Sequence, residues 1–139
     1  DYLLCCIGNS QGIEGINNIV ELGEVQDERI MAIAYNAADV FVLPTREDNL
    51  PNVVIEALCC GTAVAGFNVG GMPDMIQVGN NGYLADEITP DSLAIVIQKV
   101  LDRKVRWTRE EISSSALHRY APEVQARAYI NLYKSLLNT

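Results

Sequence analysis

Two carboxylates and two loops mark where this chain could do chemistry. Asp48 and Glu56 have seven residues between them. Asp48 lies in a polar segment, residues 45–49, that follows an apolar run over 39–44. Glu56 falls about one turn into the helix that Pro51 and Asn52 are expected to open, which turns it back toward the loop. A carboxylate placed there can accept two hydrogen bonds from adjacent hydroxyls such as those of a ribose, and Asp48 can hold a sugar hydroxyl of the same ligand. Further along, Gly70-Gly71 allows backbone to approach a ligand closely. Both loops lead into predicted helix N-termini, whose free N–H groups and partial positive charge suit a phosphate. Arg46 could meet the same phosphate, although a solvated loop arginine gives the same pattern.

The elements that must position these loops are legible from hydrophobic patterning. Residues 2–7 form a continuous apolar run ended by Gly8-Asn9-Ser10, the pattern of a strand buried on both faces. Residues 18–22 read as a second strand ended by Gly23, and residues 39–44 as a third stopped by Pro44. Between them, residues 27–38 read as a helix with Asp27 as N-cap and Ile30, Ala34 and Ala37 on its apolar face. The helix carrying Glu56 should run to about Cys60 and end at Gly61. A fourth buried strand covers residues 62–67, a short helix 74–78, and a last strand 82–85. Three helices follow: Asp91 caps one to Leu101, Thr108 and Glu111 form a capping box for the next, and the last covers residues 122–137. That last helix carries Ala126, Tyr129, Ile130, Tyr133 and Leu136 along one stripe. Strands alternating with helices imply an α/β fold, a Rossmann-like parallel sheet with helices on both faces and a helical C-terminal tail. Ligands of such sheets bind beyond the carboxyl ends of the strands, so the candidate loops are 8–10, 23–25, 45–52 and 68–73.

Composition bounds the function. The chain has 139 residues, 49% of them apolar and 20% charged, and is expected to form one domain over 1–139 whose part 90–139 is helical. Ten Lys and Arg against eighteen Asp and Glu give a net charge of −8, which excludes a general binder of nucleic acid or of anionic membranes. Four cysteines fall as adjacent pairs, Cys5-Cys6 and Cys59-Cys60, without the spacing of a zinc or redox site. They read as reduced core thiols of a cytosolic protein. No signal peptide is expected, and no apolar run approaches the ~20 residues that span a bilayer. His118, the only histidine, is assigned no catalytic work, and Trp107 is expected to anchor its segment.

The segment from Ala38 to Ala65, ADVFVLPTREDNLPNVVIEALCCGTAVA, followed by Gly70-Gly-Met-Pro-Asp74 and Gly82-Tyr-Leu84, resembles the retaining glycosyltransferases of the GT-B fold called group 1 or family 4. The family pattern is E-x7-E, then A-x-x-x-G-x-P-V, G-G-x-P-E and G-x-L, and the resemblance runs from about Asp1 to Leu101. It implies the nucleotide-sugar donor-binding domain. Glu56 matches the second Glu, which holds the donor ribose. Asp48 matches the first Glu, near the transferred sugar, and is the catalytic candidate. Asn49, Leu50 and Pro51 match the loop whose backbone N–H groups meet sugar and phosphate, with Glu47 and Asn52 counted beside them as substrate-binding. Gly70 and Gly71 match the diglycine turn, and Gly23 and Val25 the loop lining the base pocket. Two departures are visible: Asp replaces the first Glu, with Glu47 next door out of register, and Ala63 stands where Pro is usual.

The resemblance also implies a first strand and helix, carrying a basic pair for the donor phosphates, that this chain does not show. In the order 3-2-1-4-5-6 that strand is central, so an open gap or closure of its neighbours is expected. The implied activity is retaining transfer of a sugar from a UDP- or GDP-linked donor to a glycan or lipid acceptor held by an N-terminal domain outside this sequence. These 139 residues alone are expected to be inactive. No metal or other cofactor is expected, because no DxD-type site appears. The setting is a cytoplasmic enzyme of polysaccharide or glycoconjugate biosynthesis, open to peripheral attachment at the inner membrane face in a longer protein. Two rival classes are a non-catalytic nucleotide-binding module and a structural fragment that pairs through an open sheet edge. A Rossmann dehydrogenase is disfavoured, since no GxGxxG opens a first strand-helix turn.

Overall fold

The structure, a computed structural model, describes residues 2–8, 15, 17–102 and 107–137. Asn9 and Ser10 of the first candidate loop lie outside the described residues. The chain divides into two compact units, Asp1–Ala34 and Tyr35–Thr139.

In the first unit, β1 (Leu4–Ile7) and β2 (Ile19–Gly23) pair in parallel, Leu4 opposite Ile19 and Cys6 opposite Glu21. Helix α1 (Glu28–Ala37) starts in this unit and ends in the second. Asp27 caps it as expected, its Oδ1 accepting from the Arg29 N–H at 2.8 Å. The expectation of a fully buried first strand is overturned: Leu4, Cys5 and Ile7 are exposed. A ladder of only two strands leaves one edge of each strand open, and its side chains have few same-sheet neighbours. The cysteines are corrected with it. Cys5 is exposed, and Cys6, Cys59 and Cys60 are half-buried free thiols.

The second unit is a three-stranded parallel sheet, β3 (Phe41–Leu43), β4 (Val64–Phe67) and β5 (Gly82–Ala85), in that spatial order. Phe41 stands opposite Val64, and Val64 opposite Gly82. Strand β4 has a neighbour on each side and is buried along its whole length, as its unbroken apolar run requires.

Helix α2 (Asn52–Cys59) connects β3 to β4 and buries Val54, Ala57 and Leu58, the i, i+3, i+4 face of a helix against a core. The single turn α3 (Met72–Met75) follows β4, with Met72 and Met75 buried. It begins two residues earlier than expected because Pro73 fits the first helical turn. Helix α4 (Pro90–Leu101) packs on β4 and β5 and buries Val96 and Val100. Its cap is Thr89, whose side chain accepts from the Ser92 N–H at 3.2 Å; Asp91, the expected cap, sits inside the first turn behind Pro90. Helix α5 (Arg109–Tyr120) opens with the expected box, Thr108 and Glu111 each bonding the other's backbone N–H. It packs on α2 through Ile112 and Ala116. Trp107, just before it, lies 5.9 Å from the ring of Tyr83 on β5. Helix α6 (Pro122–Leu137) has the expected span, but none of its residues is buried. No helix among the described residues is long and apolar enough to cross a membrane.

A polar clasp ties three of these elements together. Thr62, 1% exposed, donates through Oγ1 to the Tyr35 carbonyl at 2.6 Å and accepts from Arg109 Nη1 at 3.2 Å. Arg109 Nη2 donates to the Ala38 carbonyl just beyond α1. A guanidinium at a helix C-terminus satisfies carbonyls that lack intrahelical partners and opposes the negative end of the helix dipole. Replacing Thr62 by Val keeps the volume and removes both hydrogen bonds of a buried hydroxyl. Thr62→Val is expected to lower the unfolding free energy by about 1–3 kcal/mol. Urea denaturation would show it as a lower midpoint at unchanged slope.

Candidate functional site

Parallel pairing of β3, β4 and β5 places the β3–α2 and β4–α3 loops side by side at the carboxyl ends of their strands. The two loops touch through backbone. The Gly71 N–H donates to the Asp48 carbonyl at 3.2 Å. Gly70 has a φ of +51°, in the region glycine favours, and a Cβ there would collide with the Asp48 carbonyl oxygen. A Cβ at Gly71 would collide with the Asn49 carbonyl oxygen. The diglycine therefore makes room first for the neighbouring loop, and what that loop presents depends on it.

The loop is also shaped from within. Asp48 Oδ1 accepts from the Leu50 N–H at 3.2 Å, the turn in which an aspartate bonds backbone two residues on. Thr45 Oγ1 donates to the Glu47 carbonyl at 2.9 Å. The Leu50 N–H thus faces the loop's own carboxylate, and Pro51 has no N–H to offer. Asp48 is half-buried, while Glu47, Asn49, Leu50 and Asn52 are exposed. Pro51 is the N-cap of α2 and supplies no side-chain cap; its carbonyl accepts from the Val54 N–H at 3.0 Å, and the N–H groups of Asn52 and Val53 meet no capping side chain. The expected second helix N-terminus is weaker, because α3 has only four residues over which peptide dipoles could add. At the same end of the sheet, Asn68 Nδ2 donates to Asp86 Oδ1 at 3.0 Å, linking the segments that leave β4 and β5.

Glu56 is exposed on α2, and its Oε2 accepts from the Tyr35 hydroxyl at 3.1 Å. Tyr35 was not among the expected site residues. It precedes Glu56 by 21 positions, so no local spacing couples them. It is also the buried residue of α1, whereas Ile30 and Ala37 of the expected apolar face are exposed. Burial first, and then the adjacent Glu56 charge, pushes the Tyr35 phenol well above its ordinary pKa. The structure thus gathers Asp48, Asn49 and Leu50 against Gly70 and Gly71, and pairs Glu56 with Tyr35. Gly23 and Val25 belong to the first unit, where the Gly23 carbonyl accepts from the Gly8 N–H at 2.8 Å. Arg46 is exposed. His118 lines a shallow groove on α5 with Glu110, Glu111, Ser114 and Ser115, away from these loops.

A sequence model of the family described as "Glycosyl transferases group 1" matches residues 4–103. The chain belongs to the group 1 glycosyltransferases. D-inositol 3-phosphate glycosyltransferase of Corynebacterium jeikeium is 29% identical over 123 residues, 88% of this chain and 29% of that protein. The protein of the same name from Thermobifida fusca is 31% identical over 104 residues, 75% of this chain and 24% of that protein. The chain thus spans less than a third of the length of these relatives. Sucrose-phosphate synthase from Thermosynechococcus elongatus superimposes with a TM-score of 0.78 at 25% identity, over 97% of this chain and 38% of that one. The apo lipopolysaccharide outer core galactosyltransferase WaaB gives a TM-score of 0.81 at 19% identity, over 97% of this chain and 41% of that one. The fold is the Rossmann-like parallel α/β architecture of GT-B glycosyltransferases.

In this glycosyltransferase domain the loop contact can be tested by itself. Gly71→Ala forces a methyl against the Asn49 carbonyl, and the β3–α2 loop must shift. A loss of about 1–3 kcal/mol in unfolding free energy is expected, as for overpacking of a closed site. Chemical denaturation of the variant checks it, and a stability equal to that of the unaltered chain would mean the two loops are not in contact.

Proposed function

We propose that this chain is the donor-binding part of a retaining glycosyltransferase that uses a nucleoside diphosphate sugar, UDP- or GDP-linked. The observation that carries the reading is the placement of Asp48 and its loop against the diglycine, with exposed Glu56 on the helix that the loop opens. In this reading Glu56 accepts hydrogen bonds from the ribose hydroxyls. Asp48 lies at the transferred sugar. The uncapped first turn of α2 and the exposed loop residues Asn49 and Asn52 face sugar and phosphate.

The chemistry follows from charge. Breaking the bond between sugar and diphosphate leaves negative charge on the departing phosphate oxygen. Fixed N–H dipoles aimed at that oxygen lower the barrier without reorganising during the reaction. Asp48, as a nearby carboxylate, offsets positive charge developing on the sugar ring. The donor is held without a metal ion in this proposal. The acceptor, a glycan or lipid hydroxyl, is held by further sequence of a longer protein, and the 139 residues by themselves bind donor without turning it over. Relatives named for D-inositol 3-phosphate support a hydroxyl-bearing acceptor. The proposal sets the enzyme in glycoconjugate biosynthesis on the cytoplasmic side.

Calorimetric titration of the chain with UDP, GDP and their sugar conjugates tests this directly. Saturable binding to one base is expected. Glu56→Ala should weaken it by about 1.5–3 kcal/mol, the scale of a hydrogen bond to a charged group. A chain that circular dichroism shows to be folded, yet that binds neither nucleotide, would replace this reading by a structural role.

A further inference from the structure

Tyr35 is held at three points. Its carbonyl accepts from Thr62 at 2.6 Å, and its ring meets Phe41 edge-on, 5.3 Å between centroids at 88°. Its hydroxyl reaches Glu56 Oε2 at 3.1 Å. The residue is 3% exposed, whereas its partner carboxylate is exposed. A buried phenol needs a partner for its O–H, and here that partner is the exposed Glu56 carboxylate, so a fixed ring holds one end of a surface side chain. The phenol stays protonated far beyond neutral pH, since burial and then the Glu56 charge oppose its ionisation. The hydrogen bond therefore has a fixed sense: tyrosine donates and glutamate accepts.

An exposed glutamate with no partner samples many rotamers, and freezing it on a ligand costs entropy. We propose that Tyr35 is a positioning residue for Glu56, fixing one carboxylate oxygen so that the other side of the group reads the paired hydroxyls of a ribonucleoside diphosphate. The proposal rests on the donor-binding reading above. It adds a consequence that reading lacks: discrimination of ribo- from 2′-deoxyribonucleotides depends on a hydroxyl that never touches the ligand.

The test compares UDP with dUDP, and GDP with dGDP, on the unaltered chain, on Tyr35→Phe and on Glu56→Gln. Phe keeps the ring and its contact with Phe41. The unaltered chain is expected to prefer the ribo form about tenfold, one charged hydrogen bond's worth. Tyr35→Phe should weaken the ribonucleotide about threefold to tenfold and leave the deoxynucleotide within about twofold. Glu56→Gln should abolish the preference, and adding Tyr35→Phe to it should change nothing more, because both act through one interaction. Equal weakening of ribo and deoxy forms by Tyr35→Phe would make Tyr35 a packing residue only and overturn the proposal, as would no effect on either.

A second arm needs no ligand. In a chain labelled with carbon-13 at the tyrosine ring, the Tyr35 Cζ signal at neutral pH should move in Glu56→Gln relative to the unaltered chain, because the hydroxyl donates to that carboxylate. An unchanged signal would overturn the contact itself. If the folded, unaltered chain binds neither UDP nor GDP, the donor-binding reading fails and the positioning role fails with it, even where the tyrosine signal responds. If it binds one of them with no change of selectivity in Tyr35→Phe, only the positioning role fails.

Discussion

The absence of side chains at Gly70 and Gly71 is the constraint on which the carboxyl-end surface depends. Two backbone segments, residues 48–49 and 70–71, approach so closely that no Cβ fits between them. Parallel pairing of β3 with β4 brings the two loops to the same end of the sheet, and the diglycine lets them merge. The Asp48 carbonyl is spent on the Gly71 N–H and its carboxylate on the Leu50 N–H. The loop is thus braced on both sides before any ligand arrives. A site built from braced backbone needs less ordering on binding than one built from long flexible side chains.

The other end of the second unit is built differently. There, at the amino ends of β3 and β4, the Thr62–Arg109 clasp satisfies the carbonyls of Tyr35 and Ala38. Tyr35 links this clasp to α2. Its backbone is part of the clasp, while its hydroxyl reaches the Glu56 carboxylate. A side chain whose backbone is held by such a network restricts the carboxylate it bonds. Phe41 completes this path, because it is both the first residue of β3 and the ring against which Tyr35 stands.

Much of this was legible in the residues. The spans of α2, α5, α6 and β5, the Thr108–Glu111 box and the buried run of β4 follow from local rules of capping, proline placement and unbroken apolar sequence. Where local rules failed, a long-range contact decided. Helical spacing gives α1 an apolar face of Ile30, Ala34 and Ala37, yet Tyr35 is buried because Phe41, Thr62 and Glu56 come to it from three later segments. The run of β1 looked like a core strand, but burial needs layers and neighbours that a sequence window cannot count. In sequence the glycine pair reads as a place for a ligand to approach. That the approaching group is the backbone of residues 48 and 49 depends on which strands pair, and pairing is not a local property.

For the proposed donor site, holding an anion on an acidic chain poses an electrostatic problem, and the helix ends bear on its solution. The net charge is −8, so the field of the whole domain repels a diphosphate. The repulsion between exposed charges is screened within about 10 Å at ordinary salt, which leaves the decision to groups in direct contact. Helices α4 and α5 spend a threonine hydroxyl on a first-turn N–H of their own. The N-cap of α2 is Pro51, which has no side-chain acceptor; its carbonyl takes the Val54 N–H at 3.0 Å. The N–H groups of Asn52 and Val53, at the end of the helix nearest the braced loop, meet no capping side chain. Backbone N–H groups carry no net charge, so such a site attracts phosphate without the clustered Lys and Arg that would also attract nucleic acid. The acidic composition and an anion-binding role are compatible for that reason: the first sets what the surface repels at long range, and the second depends on donors fixed at hydrogen-bond distance.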